Sequence, residues 1–326
     1  MNRWLKSLQF AVALLALIAG PLSAQAQGYP NRPVKIIVPF LPGGGNDVLA
    51  RILGGHLTQR WKQPVLVENK AGAAGNIATE FVARAPADGY TLLSQANTMA
   101  MVPWLYPKLS FDVQKDFVPV LYIANTAFVL VTTPSLPVGT TQELISYAKA
   151  NPGKLTYATT GHGGPQHLAA ELFDSMAGTE MTHIPYKGAV PGWTALMTGE
   201  VSLTFGAFNS AFNLIKAGKV KAIAAASARR LPALPDLPTL REAGLTDYEA
   251  GAWYALFAPA GTPPEIVSRF YEESVKILQT PEIRDPLNAQ GFEIVAGSPK
   301  MLGDTLAKDL DRWGKLIKAR NIRPQQ

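Results

Sequence analysis

Pro33 to Phe40 reads PVKIIVPF, and Leu41-Pro42-Gly43-Gly44-Gly45 follows it directly. The β-branched, apolar octet fits a buried strand bounded by prolines, and the glycines fit a turn at its carboxyl end. From Asn46 onward, Val48, Leu49, Ile52, Leu53, Leu57 and Trp61 recur at helical spacing, with Asn46 or Asp47 placed to cap the helix. A strand, a glycine turn and a helix make half of a βαβ unit, and this sets the fold class as α/β. Outward from it, Pro64 to Glu68 gives a second strand, Asn76 to Arg84 a second helix, and Tyr90 to Ser94 a third strand after the Pro86-Ala87-Asp88-Gly89 turn.

The same grammar restarts later. Thr140 with Glu143 forms a capping box, and Asn151-Pro152-Gly153 ends that helix. Leu155 to Thr159 is a strand, Gly161-His162-Gly163-Gly164 a second glycine turn, and Pro165 opens a helix carrying Leu168, Ala169, Leu172 and Phe173 on one face. Strands at 181–184, 201–205 and 220–226 follow, Leu231 to Pro238 reads as surface loop, and Trp253 to Ala258 is a further strand. Thr262-Pro263-Pro264-Glu265 is placed to cap a long helix through Leu278, and Ser298-Pro299 opens the last. Two α/β halves without a flexible linker predict two lobes, each a mostly parallel sheet flanked by helices, with a ligand cleft beyond the carboxyl ends of the strands. Both glycine turns lie at such ends.

Composition agrees with an ordinary globular chain: of 326 residues 47% are hydrophobic and 17% charged. The absence of cysteine excludes disulfides, thiolate-bound metal and cysteine nucleophiles. Arg3 and Lys6, the apolar run Phe10 to Ile18, and Ala24-Gln25-Ala26 have the three-part layout of a secretory signal peptide over residues 1–26, with cleavage after Ala26. That apolar run falls short of the roughly 20 residues needed to span a bilayer, so the mature chain is expected to be soluble outside the cytoplasm. Removing the leader lowers the net charge from +6 to +4, and the scattered basic residues make no nucleic-acid footprint.

A helix start leaves N–H groups unpaired and carries partial positive charge, so a glycine turn ahead of it suits an anion. Neither turn ends in Gly-Lys-Ser/Thr, and neither has the third glycine of a dinucleotide fingerprint, which leaves a carboxylate as the fitting anion and predicts no cofactor. No nucleophile elbow or His-Glu-x-x-His motif occurs, so no catalytic residue is assigned. His56 reads as a surface residue. His162, His167 and Glu171 carry metal-ligating groups, but a capping or cleft-lining His162 and a packed, hydrogen-bonded His167 are expected instead, with no metal. Tyr186 and Lys187 end a strand where they are able to face the cleft; for Lys187, ligand contact and a solvated position are both open.

Tyr29-Pro30-Asn31-Arg32-Pro33, Val38-Pro39-Phe40 with Pro42 to Asp47, Glu68 to Asn76, and Ala87 to Leu93 together resemble the Bug family, the periplasmic substrate-binding receptors of tripartite tricarboxylate transporters. The likeness continues through Lys115 to Val120, Gly161 to His167, His183 to Gly188, Leu234 to Thr239 and Ala258 to Pro263. It implies a type II-like periplasmic-binding-protein fold, a monomer, whose lobes close around a small organic carboxylate held by backbone amides and ordered water. Lobe 1 would comprise 27–127 and 251–326, and lobe 2 residues 128–250, with linkers near Thr126 to Leu130 and Tyr248 to Gly251. The resemblance places Phe40, Pro42, Gly43, Gly44, Asn46 and Asp47 in the cleft, with Gly72, Ala73, Gly75 and Asn76. From lobe 2 it places Gly161, His162, Gly163 and Gly164 there, with Tyr186 and Lys187 nearby and Ala207 and Phe208, beside Gly206, lining the wall. Asn46 stands where Thr or Ser is common in the family, Ala195 where Asp is, and Ser202 and Gly206 where acidic residues are. The implied partners are membrane permease subunits; a sensor role with a membrane kinase, or a hydrolase or transferase in the same cleft, are the alternatives.

Overall fold

The computed structural model describes residues 28–323 except Pro107 and Lys187, so the expected signal peptide and Lys187 lie outside the described residues. β1 (Val34–Val38) lies between β2 (Val65–Asn69) and β3 (Thr91–Ala96), parallel to both. Val34, Ile36 and Val38 point to one face, against Leu49, Leu53 and Leu57 of α1 (Gly45–Trp61) and Phe270 and Ile277 of α8 (Pro264–Leu278). Ile37 points to the other face, where α2 (Asn76–Ala83), α3 (Thr98–Leu105) and α10 (Pro299–Ala319) cover the sheet. Burial on both faces is why this strand is continuously apolar except at Lys35, which pairs with Glu68 at 2.7 Å.

The second half repeats the plan. β5 (Thr156–Thr159) is parallel to β6 (Thr182–Pro185) and β7 (Leu203–Ala207). α4 (Thr141–Ala150) and α5 (Pro165–Ala177) pack on one face, and α6 (Ala189–Thr198) with α7 (Phe208–Lys216) on the other. The capping box on α4 is formed, Thr140 and Glu143 serving each other's backbone, and Ser298 caps α10 by accepting the Met301 N–H. Thr262 does not cap α8: its hydroxyl bonds back to the Pro259 carbonyl, and proline openings remove one donor from this helix and from α9 (Pro281–Ala289).

Each parallel trio is completed by antiparallel strands. β4 (Phe117–Thr132) is 16 residues long; its first part pairs with β9 (Gly251–Pro259) and β10 (Glu293–Gly297), its last part with β7 and β8 (Lys221–Ala225). β9 joins the first trio through β3 and begins opposite Ala127, where Phe128 N–H bonds to Ala250 O. The chain thus crosses between the two sheets side by side, at Ala127 and Gly251. A β-carbon on Gly251 would lie 2.6 Å from Thr126 O, so only glycine lets the crossings approach this closely. Among the described residues no helix is long and apolar enough to cross a membrane.

Candidate functional site

The cleft-side ends of β1 and β3 carry a group of buried polar residues: Asn46, Asp47, Ser94, Gln95, Asn97 and Thr98 are each under 9% exposed. Buried polar groups need partners, and most here have them. Asn46 donates from Nδ2 to Ser94 O at 3.1 Å, so it braces α1 against β3 instead of capping or facing outward. Asp47 accepts from the Gly43 N–H at 3.0 Å, from Arg51 Nε at 3.0 Å and from Asn69 Nδ2 at 2.9 Å, while Asn69 also donates to Phe40 O. Burial pushes its carboxyl up, but these donors outweigh that and hold it below the usual carboxylate range. Asp47 and the Gly43 amide are therefore spent on shaping the turn.

What the turn leaves free is the helix start behind it. α1 is capped by Gly44 and α2 by Gly75, neither with a side-chain cap; the first-turn N–H groups of α1 have no intrahelical acceptor, while at α2 the Asn76 N–H already bonds to Ala73 O. The two turns touch: a β-carbon on Gly75 would meet Pro39 at 3.0 Å and the Phe40 ring at 3.7 Å. Pro42, Gly43, Gly44, Gly72 and Ala73 are exposed along this wall, Ala73 in a left-handed conformation, and Phe40 is half-buried beneath it. Asn76 Oδ1 and Ser94 Oγ are buried without a protein partner, two unspent polar atoms beside the same helix starts. Gly45 is fixed by packing, because a β-carbon there would lie 2.5 Å from the Tyr254 ring.

The opposite wall follows the same rule. α5 is capped by Gly164 and α6 by Gly188, again without side-chain caps. The Gly163 N–H is already taken by His167 Nδ1 at 2.9 Å, and Gly161 N–H by Thr159 Oγ1 at 3.2 Å. A β-carbon on Gly163 would overlap Leu105 of α3, meeting its Cδ2 at 3.1 Å and its Cδ1 closer still, so the two halves already touch at this turn. Between the starts of α5 and α6 lies a shallow hollow of about 10 Å³, bordered by Thr159, Thr160, Gln166, Gly192, Trp193 and Thr204. Complete ligand pockets run to about 300–1,000 Å³, so the hollow by itself encloses no ligand.

Other residues that the resemblance places in the cleft have partners within the protein. Tyr186 OH donates to Glu200 at 2.9 Å. Phe208 is 4% exposed, its ring against Phe212 and lying where a side chain on Gly291 would go, so it packs the seam between the halves; Ala207 beside it is half-buried. Thr159, Thr160, Gln166, Trp193 and Thr204 were not singled out by sequence, nor were Ser94 and Gln95; their one signal is polarity at the carboxyl end of a strand or in the first turn of a helix.

His162, His167 and His183 come together behind the second turn, each offering a nitrogen within 4.8 Å of the others'. His167 and His183 stack with centroids 3.9 Å apart and planes 14° from parallel, and His162 stands edge-on to both. Imidazole lone pairs lie in the ring plane, so two nearly parallel stacked rings share no point about 2.1 Å from a nitrogen of each. The cluster as it stands is packing, not a chelate. His167 is buried and hydrogen-bonded, and its Nε2 sits 3.6 Å from Glu171, which also accepts from Tyr157 OH at 2.9 Å and Arg320 Nε at 2.8 Å. Burial raises the Glu171 carboxyl, yet His167, Arg320 and Tyr157 outweigh it and hold the pKa at about 2.

Burial, then the neighbouring His167 and His162 rings, push His183 down to about 3. A histidine freed by unfolding titrates near 6.5, so the unfolded chain binds the extra proton; the stability from His183 is complete above that value and is lost as pH falls toward 3. We expect the unfolding free energy to drop by up to about 1.4 kcal/mol per pH unit in this window and His183→Gln to flatten the slope. Denaturant titrations at pH 7, 6, 5 and 4 check this; parallel slopes for the two proteins would contradict it. Asp47→Ala is expected to cost about 1–3 kcal/mol of stability, because the Gly43 and Asn69 donors lose their acceptor, and to weaken anion binding at the turn they shape. Unchanged melting and unchanged affinity would contradict the bracing role.

Comparison with known proteins adds the following. The model of the tripartite tricarboxylate transporter family receptor matches residues 49–322. Protein BugT of Bordetella pertussis is 36% identical over 303 residues, 92% of this chain and 92% of that one. The R. palustris protein Rpa4515 with adipate superposes with a TM-score of 0.85 at 36% identity, covering 91% of this chain and all of that one. MatC from Rhodopseudomonas palustris with bound malate superposes at 0.81 and 31% identity, covering 89% of this chain and all of that one. With its two-lobed α/β periplasmic-binding-protein fold and a family match across most of its length, the chain belongs to the tripartite tricarboxylate transporter receptors, the Bug-like solute-binding proteins.

Proposed function

We propose that the protein is a periplasmic receptor that captures a small organic carboxylate between its lobes and delivers it to tripartite-tricarboxylate-type permease subunits. The observation that carries this reading is the contrast in helix capping. Among the described helices only α1, α2, α5 and α6 start from glycine, none of them with a side-chain cap; α4 and α10 have side-chain caps, and α3, α7, α8 and α9, also without one, start from Asn97, Ala207, Pro263 and Thr280. Two helix starts from each half thus keep backbone donors for an anion. Each hydrogen bond to a charged ligand group is worth about 1.5–3 kcal/mol, so three or four reach the roughly 8 kcal/mol of micromolar binding. The adipate and malate held by the similar proteins are both carboxylates.

The crossings at Ala127 and Gly251 support lobe boundaries at 27–127 with 251–326, and at 128–250. A ligand that touches both lobes shifts the population toward a closed form, which is what a permease would read. The leader-like residues 1–26 support export. The test is a thermal-shift screen of mono- and dicarboxylates on residues 27–326, followed by calorimetry: a ligand that binds only the folded state raises Tm with its concentration. Binding by some carboxylate with a micromolar or lower Kd is expected; a screen in which none binds, or steady turnover of a bound ester or amide, would overturn the proposal.

A further inference from the structure

Gly206 of β7 is buried, and a β-carbon on it would lie 2.6 Å from Trp193 Cζ2 and nearer still to Cη2. The indole of α6 therefore occupies the space of a side chain at position 206, and glycine there is what admits it. Half-buried, Trp193 forms one wall of the hollow between the α5 and α6 starts. Among the described residues, none bordering that hollow is ionisable. Its polar side chains are largely engaged with their own backbone: Thr204 Oγ1 donates to Ala158 O at 2.8 Å, Thr159 Oγ1 to Gly161 O at 3.0 Å, and Gln166 Oε1 accepts from Thr160 N–H at 3.0 Å.

Val190 lies three residues before Trp193, on the same side of α6, and is 77% exposed; Leu41, in the turn ahead of α1, is 67% exposed. The lobe-2 wall thus offers backbone donors at the helix starts and, beside them, an aromatic face continued by an aliphatic side chain.

Resting on the proposed receptor function, we infer that the ligand is a carboxylate with an unsubstituted apolar body, an alkyl chain or aromatic ring without hydroxyl groups, and that Trp193 selects it by packing on that body. Such a body gains from burial against the indole. A hydroxyl placed against the indole face finds no acceptor on the ring and loses its bonds to water.

The test is calorimetry with adipate, benzoate, malate and citrate on wild type, Trp193→Ala and Gly206→Asp. For wild type, adipate or benzoate is expected to bind at least tenfold more tightly than malate or citrate. Trp193→Ala should weaken the preferred ligand about tenfold and malate less than threefold. Gly206→Asp should displace the indole and reduce the preference likewise, which guards against a loss of fold in either variant alone. Tighter binding of malate or citrate by wild type, or an equal loss for every ligand in Trp193→Ala, would overturn this inference and leave carboxylate capture standing. No binding by any of the four, together with a blank wider screen, would remove the receptor proposal and this inference with it.

Discussion

Replacing Glu171 with alanine is expected to lower the stability of the folded protein by about 2–3 kcal/mol. The side chain is 14% exposed and binds Tyr157 and Arg320 while facing His167. Removing one partner of a buried ion pair typically costs about 3–5 kcal/mol, because the other charge is stranded. Arg320 is 33% exposed and keeps part of its hydration, which puts the expected loss below that range. Arg320→Met should cost less, since Glu171 retains Tyr157 and the histidine. The contribution also has a pH signature. The Glu171 pKa is held at about 2, so its stabilisation is present above the unfolded value of about 4.3 and disappears as pH falls through 2. Because Glu171 sits on α5 and Arg320 at the end of α10, the pair also ties the second half to the first. Denaturant unfolding with an unchanged m-value measures the loss; a change under 0.5 kcal/mol would mean that the pair does not hold these helices together.

The second large effect concerns ligand affinity. Gly43 has φ +91° in open, exposed space, so Gly43→Val meets no neighbour but strains a left-handed backbone by about 1–2 kcal/mol. The turn is expected to relax by shifting its Asp47-bound amide, and the α1 donors shift with it. Losing one or two charge-assisted hydrogen bonds corresponds to a fall in carboxylate affinity of at least about tenfold. Gly163→Val adds the overlap with Leu105 to a φ of +69°, so affinity and Tm should both fall. Calorimetry on the folded Gly43 variant separates the two causes. Affinity equal to wild type in that variant would show that the first turn does not shape the site.

Much of this was legible in the residues. Short β-branched or apolar runs ending in glycine turns placed β1 and β5, period-3.6 apolar patterns placed α1 and α5, and the Thr140–Glu143 box and Ser298 caps formed as their residue types require. Legibility failed where a group's partner is distant in sequence. Asp47 has the type and place of a helix cap, but Asn69 and Arg51 turn it into a brace for Gly43. Phe208 packs against Gly291 and Tyr186 bonds to Glu200, partners that the local sequence does not reveal. β4 was not read as a strand, since a strand shared by two sheets is largely buried on both faces and shows neither alternation nor a stop. The Trp193–Gly206 exchange was invisible because it joins a helix to a strand across the lobe.

The most direct measurement is a crystal structure of the mature protein with the tightest-binding carboxylate of the screen. The account predicts carboxylate oxygens within about 2.7–3.2 Å of first-turn backbone N–H groups from at least one helix of each lobe, α1 or α2 on one side and α5 or α6 on the other. A carboxylate held instead by lysine or arginine side chains, with those helix starts left facing solvent, would contradict it.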